Sequence, residues 1–341
     1  MSSLTGHRVE GFAYDLLNLT DQVVARLDGV QPGGQLDFSV SAVIRGSGNI
    51  TVTGQDIDWT QHRIRISYVL GDDVTPLITA IPKAPVEAHT GPTWNVDLEL
   101  YDKLLVLSED YVGASYGLPA GTDIIAAVQA VIASTGDTTA LASEGTATLS
   151  AAMAWDATTS KLGIVNDLLD AGGFFSLWAD PLGNYRATPY LLPAARPVTW
   201  EFADDANGLY LPEWTRDRDV FNVPNRYVCI ARAEGDAVPY VATATDAADY
   251  AYRGRWITRT DTDVEAASNA VLDLIATRRL AEARQVSEGF EITHPVLPFG
   301  LNDAVTFTHR RLGRVVRAVC QKQTINLAPG GLVTSTLKAV A

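Results

Sequence analysis

At 341 residues the chain exceeds one typical single-core domain, so two or three domains are expected. Hydrophobic residues make up 47% and charged residues 19%, without a Lys/Arg tract or low-complexity tail, which excludes a disordered chain. With 26 Lys+Arg against 40 Asp+Glu the net charge is −14, which disfavours tight nucleic-acid binding through phosphate neutralisation.

The N-terminal stretch "MSSLTGHRVEGFAYDLLNLT" lacks a basic segment leading into an apolar run, and nowhere do about 18 apolar residues stand together. The expectation is a chain made and folded in a cytoplasm, without membrane insertion. Cys229 and Cys320 form no CxxC and read as buried free thiols.

From Arg8 to about Tyr101 the pattern is that of strands. "QLDFSVSAV" alternates Leu36, Phe38, Val40 and Ala42 with polar residues. "NITVTG" repeats this with Ile50 and Val52, "HRIRISYVL" sets Ile64, Ile66 and Tyr68 opposite Arg63, Arg65 and Ser67, and "WNVDLELYD" places Val96, Leu98 and Leu100 together. "QPGGQ", "RGSGN", "GDD" and "HTGP" read as turns, and short strands so spaced suggest a sandwich or barrel.

Composition changes after Ser108. "GTDIIAAVQAVIAST" places Ile125, Val128 and Ile132 at helical spacing, ended by Gly136. In "SKLGIVNDLLDAGG" Ser160 is the candidate N-cap, Leu162, Val165, Leu168 and Leu169 share a face, and Gly172-Gly173 suit a left-handed cap. "GGFFSLWADPLGNYRATP" follows as an aromatic hairpin turning at "DPLGN", packed on that helix. From Val198 strands return, among them "NRYVCIAR" with Tyr227, Cys229 and Ala231 on one side. One helix interrupts them, "TDVEAASNAVLDLIATRRLAEAR", with Thr262 and Glu265 in capping-box spacing and Ala267, Val271, Leu274 and Ile275 as its stripe. "FEITH", "DAVTFTH", "RVVRAVCQKQTINL" and "LVTSTLKAV" read as the closing strands.

Chemical motifs are sparse. GxSxG, Walker A, GxGxxG and HExxH are absent from the sequence. "STLK" fits SxxK only as a string, because in a strand Ser335 and Lys338 point to opposite faces. The histidines His7, His62, His89, His294 and His309 show no paired ligand spacing. Asp56/Asp58, Asp204/Asp205, Asp217/Asp219 and Asp261/Asp263 are pairs a glycosidase could use, yet a chain with 40 acidic residues contains such pairs by chance. Trp178 and Tyr185 are the candidate contacts to a partner or glycan, against a reading of the hairpin as packed core. No catalytic, cofactor-binding or metal residues are expected.

The order of β module, small α/β insert and second β module resembles the phage tail hub (baseplate hub) family. "SKLGIVNDLLDAGGFFSLWADPLGNYRATPY" is similar to the insert's helix, Gly turn and aromatic hairpin with a D-x-x-G tip. "DRDVFNVPNRYVCIAR" resembles the opening of a second barrel. "HPVLPFGLNDAVTFTHRRLG" and "VVRAVCQKQTINLAPGGLVTSTLKAV" resemble its finish, and "DIDWTQHRIRISYVL" with "WNVDLELYDKLLVL" resembles the first barrel. The resemblance implies a mainly β, α+β fold: a tube-like β-barrel over 1–105, an α/β insert over 106–197, and a second tube-like barrel over 198–341 carrying a helix at about 262–285.

The function implied is a non-enzymatic, homotrimeric, pseudo-sixfold ring at the tail tip of the virion. Its implied partners are the distal tail protein ring, the tape-measure protein C-terminus and downstream tip or fibre proteins, with viral DNA only passing through the lumen. Synthesis in the bacterial host cytoplasm follows. The alternatives are a carbohydrate-binding tail protein and a cell-wall glycosidase.

Overall fold

The computed structural model describes residues 10–340 apart from 92, 138, 206–207, 219–220, 232–237, 265–268, 284–287 and 310–312. The chain forms two compact units, Met1–Trp214 with Ile292–Leu337 and Thr215–Glu291 with Lys338–Ala341.

The first unit begins with β1 (Glu10–Leu17), β2 (Val23–Arg26), β3 (Gly34–Ser39), β4 (Gly46–Thr53), β5 (Arg63–Leu70), β6 (Asp73–Thr90) and β7 (Thr93–Asp102). These pair antiparallel in the order β2-β1-β5-β6-β7-β4-β3. The ladders set Ile64 against Ala80, Ile66 against Ile78, Ile50 against Leu98 and Val52 against Val96, so apolar side chains from every second position fill one core. Among the described residues no ladder closes this sheet into a barrel. Residues 29–31 do return to β4: Val30 bridges Val52, Gln31 N donates to Thr51 O at 2.8 Å, and Thr53 N donates to Gly29 O at 2.9 Å.

Two expectations change here. "RGSGN" is not a turn, because Gly46 and Gly48 lie inside β4, where a Cβ on Gly48 would come within 2.3 Å of Gln35 O on β3. The glycine permits close backbone approach. β5 is not half-solvated either: Arg63 and Ser67 are buried along with Ile64 and Ile66, with Asp137 3.8 Å from Arg63 on that side.

The first unit continues with α1 (Leu104–Glu109), β8 (Tyr116–Leu118), α2 (Ile124–Ala133), β9 (Leu141–Ser143), β10 (Met153–Trp155), α3 (Lys161–Ala171), β11 (Trp178–Ala179) and β12 (Tyr185–Ala187). Asp123 caps α2 by accepting from Ala126 N, and Ser160 caps α3 by accepting from Gly163 N at 3.1 Å. Gly173 takes the left-handed conformation after α3 (φ 73°). Leu162, Val165, Leu168 and Leu169 enter a core with Val128, Ile132, Phe174 and Tyr185, as their spacing requires. β11 and β12 form the expected hairpin, with Trp178 opposite Arg186.

The remaining elements are β13 (Val198–Phe202), β14 (Trp214–Arg218), β15 (Arg226–Ala231), β16 (Val241–Thr245), α4 (Ala247–Arg253), β17 (Thr258–Val264), α5 (Asn269–Ala283), β18 (Glu288–His294), β19 (Ala304–His309), β20 (Arg314–Leu327) and β21 (Val333–Ala339). β20 pairs with β19 through residues 314–319 and with β3 through residues 322–327, so the C-terminal strands continue the N-terminal sheet.

In the second unit, β15 is flanked by antiparallel β16 and parallel β17, and α5 packs on this three-stranded sheet rather than on a barrel. The helix expected from Thr262 is described from Asn269. Residues 258–264 are strand instead, their β-branched Thr258, Thr260, Thr262 and Val264 extending along β15, while Glu265 and Ala267 lie outside the described residues. Its buried stripe is Leu272, Ala276 and Leu280, and Leu274 is exposed. The i, i+4, i+8 positions face the sheet; of the expected stripe, Ile275 packs against this core and Leu274 does not.

Candidate interaction surfaces and the buried charge cluster

The tip of the β11–β12 hairpin meets the N-terminal sheet at Arg65 and Thr79. Asp180 accepts from Leu182 N, Asn184 N and the Arg186 guanidinium, which closes the turn. The closed turn then presents backbone carbonyls outward. Thr79 Oγ1 donates to Pro181 O at 2.9 Å, and Arg65 Nη2 donates to Leu182 O at 3.2 Å. Gly183, at φ 89°, leaves room for Lys103, whose Cδ would stand 3.0 Å from a Cβ there.

Beneath the tip lies a sealed cluster of charges. Lys103 is 0% exposed, and its Nζ reaches Asp21 Oδ2 at 2.7 Å, Thr139 Oγ1 at 2.5 Å and Asp137 Oδ2 at 3.2 Å. Arg63 Nη1 lies 2.7 Å from Asp21 Oδ1. Burial raises Asp137, but hydrogen bonds from Thr139 and Lys103 outweigh it and hold the carboxyl below its ordinary range. Next to this cluster, Asp102 is pushed up to about 6 by burial, although it accepts from Leu104 N and Gly46 N and faces Arg45.

Tyr185 belongs to this cluster and not to a surface. It is 0% exposed, its hydroxyl donates toward Lys103 O at 3.1 Å and Asp137 Oδ2 at 3.2 Å, and burial raises its pKa. A stacking platform requires an open ring face, which Tyr185 does not offer. Trp178 is half-buried, with Nε1 3.3 Å from Thr188 Oγ1. It lines a cavity of about 670 Å³ with Phe38, Phe175, Leu191, Val296 and Phe299. Of the carboxylates along that cavity, Asp102 accepts from two backbone amides, Asp180 closes the hairpin turn and Asp303 accepts from Gly300 N at 2.8 Å, beside Glu144.

The other sequence candidates separate. Asp58 accepts from Thr60, and Asp261 accepts from the Tyr227 hydroxyl at 3.0 Å. Asp219 and His7 lie outside the described residues. Ser335 is buried and Lys338 exposed, as alternation requires, and Ser335 Oγ sits 2.8 Å from His294 Nε2. Burial lowers His294 to about 4, so this pair is a core contact closed to solvent. Cys229 and Cys320 are free and buried. Among the described residues, no group of His, Cys, Asp and Glu could hold a metal ion.

Sequence reading missed two features. The Lys103 cluster joins residues up to 116 positions apart, and only the apolar flanks of Lys103 in "YDKLLVL" hinted at burial. The other is an exposed aromatic group in the second unit. Tyr250 and Trp256 stack with centroids 4.2 Å apart, Arg226 lies 5.4 Å from the Trp256 ring, and Tyr252 is 90% exposed.

No family model matches the sequence, and no curated protein matches it. Solved structures do. A tail protein from Neisseria meningitidis MC58 superposes with TM-score 0.65 at 14% identity, over 96% of each chain. The prophage MuSo2 43 kDa tail protein from Shewanella oneidensis gives 0.63 at 14% identity, over 96% of this chain and 98% of that one. Prophage tail protein gp18 from Listeria monocytogenes EGD-e gives 0.55 at 11% identity, over 96% and 94%. The chain therefore has a fold of the phage tail protein class. The resemblance to tail hubs that the residues carry agrees with that fold across nearly the whole chain.

Proposed function

We propose that this protein is a structural hub of a phage tail tip. Near full-length agreement of its fold with three tail proteins carries the reading. In this proposal three copies form a pseudo-sixfold ring without catalytic activity, each contributing two tube-like modules, with the insert over 106–197 outside them. The return of residues 29–31 to β4 supports a tube-like first module, because it draws the open sheet toward closure. The ring would join the distal tail protein ring and the tape-measure C-terminus to tip or fibre proteins, and the net charge of −14 suits a channel through which DNA slides. Exposed strand edges such as β2 would be covered by neighbours.

Light scattering of the purified chain, followed by negative-stain imaging, tests this. A trimer with a central opening is expected. A compact monomer that binds host cell wall would refute the hub and favour a carbohydrate-binding tail protein.

A further inference from the structure

Two strand edges in the first unit have no ladder partner among the described residues. β2 ends the sheet and pairs with β1 alone. Its four residues are exposed, Val23 and Val24 more than half so. The other open edge is on β6. β5 covers β6 only as far as Ala80, which faces Ile64, whereas β7 pairs with β6 on to Thr90, which faces Thr93. Residues 83–90 therefore form an arm with one ladder and one open side, and each of them is exposed. An open edge carries a row of backbone donors and acceptors and is a template for another strand.

Hydrogen bonds already made fix which groups face outward, because opposed residues in an antiparallel ladder alternate between exchanging both bonds and exchanging none. Leu27 N donates to Tyr14 O at 2.9 Å, so Leu27 and Ala25 bond to β1, and Arg26 between them turns its N–H and C=O to the open side. Val24 has no opposite residue on β1, since the register shifts there. On the arm, Gly54 N donates to Trp94 O at 2.6 Å, so Trp94 and Val96 bond toward β4, and Asn95 and Asp97 toward β6. Ala88 and Val86, opposite Asn95 and Asp97, are thereby occupied, while Glu87 and His89 turn their N–H and C=O outward. Ala84, at φ 49°, and Pro85, which has no N–H, end the open edge on one side, so the free window is Val86–Thr90.

We propose that β2 of one copy pairs antiparallel with the Val86–Thr90 edge of β6 in a second copy, Arg26 opposite Glu87 and Ala25 opposite Ala88. The proposal rests on the ring-forming reading above and names the strands that make the ring contact. A window of five residues accepts a strand of four. In this register the outward groups of Arg26 meet those of Glu87, and the pair carries opposite charge; Arg26 keeps half its side chain exposed beside Asp15. The two alanines fall at the close position that exchanges no bonds and suits small side chains. A slip of one residue sets Arg26 against Val86 or Ala88, whose groups are spent on β7. The two edges differ, so the contact is heterologous and repeats around an axis to close a ring.

The test uses the full chain with Ala25→Cys and Ala88→Cys together, each of these alone, and Glu87→Pro. The native thiols Cys229 and Cys320 are buried, and a pair that exchanges no bonds brings its Cβ atoms within disulfide reach. Proline at 87 removes an outward N–H and no bond of the arm's own ladder. Mild oxidation and a non-reducing gel are read beside mass by light scattering over a dilution series and the thermal unfolding midpoint. The expected result is a covalent trimer from the double-cysteine variant and none from either single one. Glu87→Pro is expected to raise the trimer dissociation midpoint about tenfold with the unfolding midpoint unchanged. A trimer that neither cross-links nor responds to Glu87→Pro overturns this pairing and leaves the ring standing, with another tail protein's strand as the occupant of these edges. An unfolding midpoint that falls in Glu87→Pro together with the trimer also overturns it, since that N–H then serves the chain's own fold. Cross-links that run on beyond three copies overturn the ring and keep the contact. A wild type monomeric at every concentration, without cross-linking in the double variant, overturns both.

Discussion

Replacing Lys103 with Met keeps the length of the side chain and removes its charge. In the native structure Lys103 Nζ contacts Asp21 Oδ2 at 2.7 Å and Asp137 Oδ2 at 3.2 Å with no exposure to solvent. Its loss leaves Arg63, 2.7 Å from Asp21 and 3.8 Å from Asp137, as the cation beside both carboxylates, while Thr139 N and the Tyr185 hydroxyl still donate to Asp137. Breaking one side of a buried ion pair costs about 3–5 kcal/mol, and the remaining arginine places this case near the lower figure. For a unit of this size about 3 kcal/mol corresponds to a fall of roughly 6 °C in the unfolding midpoint. Calorimetry with urea unfolding measures it, with total tryptophan fluorescence as the second probe of unfolding. Lys83→Met serves as control, because the Lys83–Glu109 pair is exposed and its loss leaves the midpoint unchanged. A Lys103→Met loss below about 1 kcal/mol would refute the reasoning, meaning that the carboxylates are reached by water or adopt a protonated state without strain.

Asp102 makes stability depend on pH. Its native pKa, about 6, lies above the ordinary 3.8, so the folded chain holds a proton that the unfolded chain releases, and stability falls as pH rises from about 4 through 6. The loss is on the order of 3 kcal/mol, and Asp102→Asn flattens this part of the stability curve, as urea titrations at several pH values would record. Gly183→Ala, at φ 89° and against Lys103 Cδ, costs about 1–2 kcal/mol in the same unfolding assay, with no loss if the tip relaxes freely. On α5, Leu280→Ala lowers stability by about 2–5 kcal/mol while Leu274→Ala stays within about 0.5 kcal/mol; equal effects would show that the helix is rotated.

Local chemistry was legible in the sequence wherever one element satisfies itself. Ser160 caps α3 because a hydroxyl before a helix finds a free amide within its own first turn, and Leu162, Val165, Leu168 and Leu169 share a face because the helical period allows nothing else. The alternating strands held for the same reason: one buried face fixes register at every second residue. The aromatic hairpin could be placed from its turn residues, whereas Tyr185 stood between a surface contact and packed core until its burial decided the matter.

Tertiary structure decided what depends on distant partners. Gly46 and Gly48 read locally as a turn, yet both lie in β4, and at Gly48 the backbone of β3 comes so close that only a side chain of hydrogen fits. Residues 258–264 carry a good helix start in Thr262 but gain more from pairing with β15. β20 links two sets of strands because its length spans both, which no spacing within it announces. Most of all, Lys103 meets Asp21 and Asp137 only through the packing of residues 104–187 on the sheet. A single charge in a sequence reads as surface, and it becomes core only where folding brings its counter-charges to it and removes water from all of them at once.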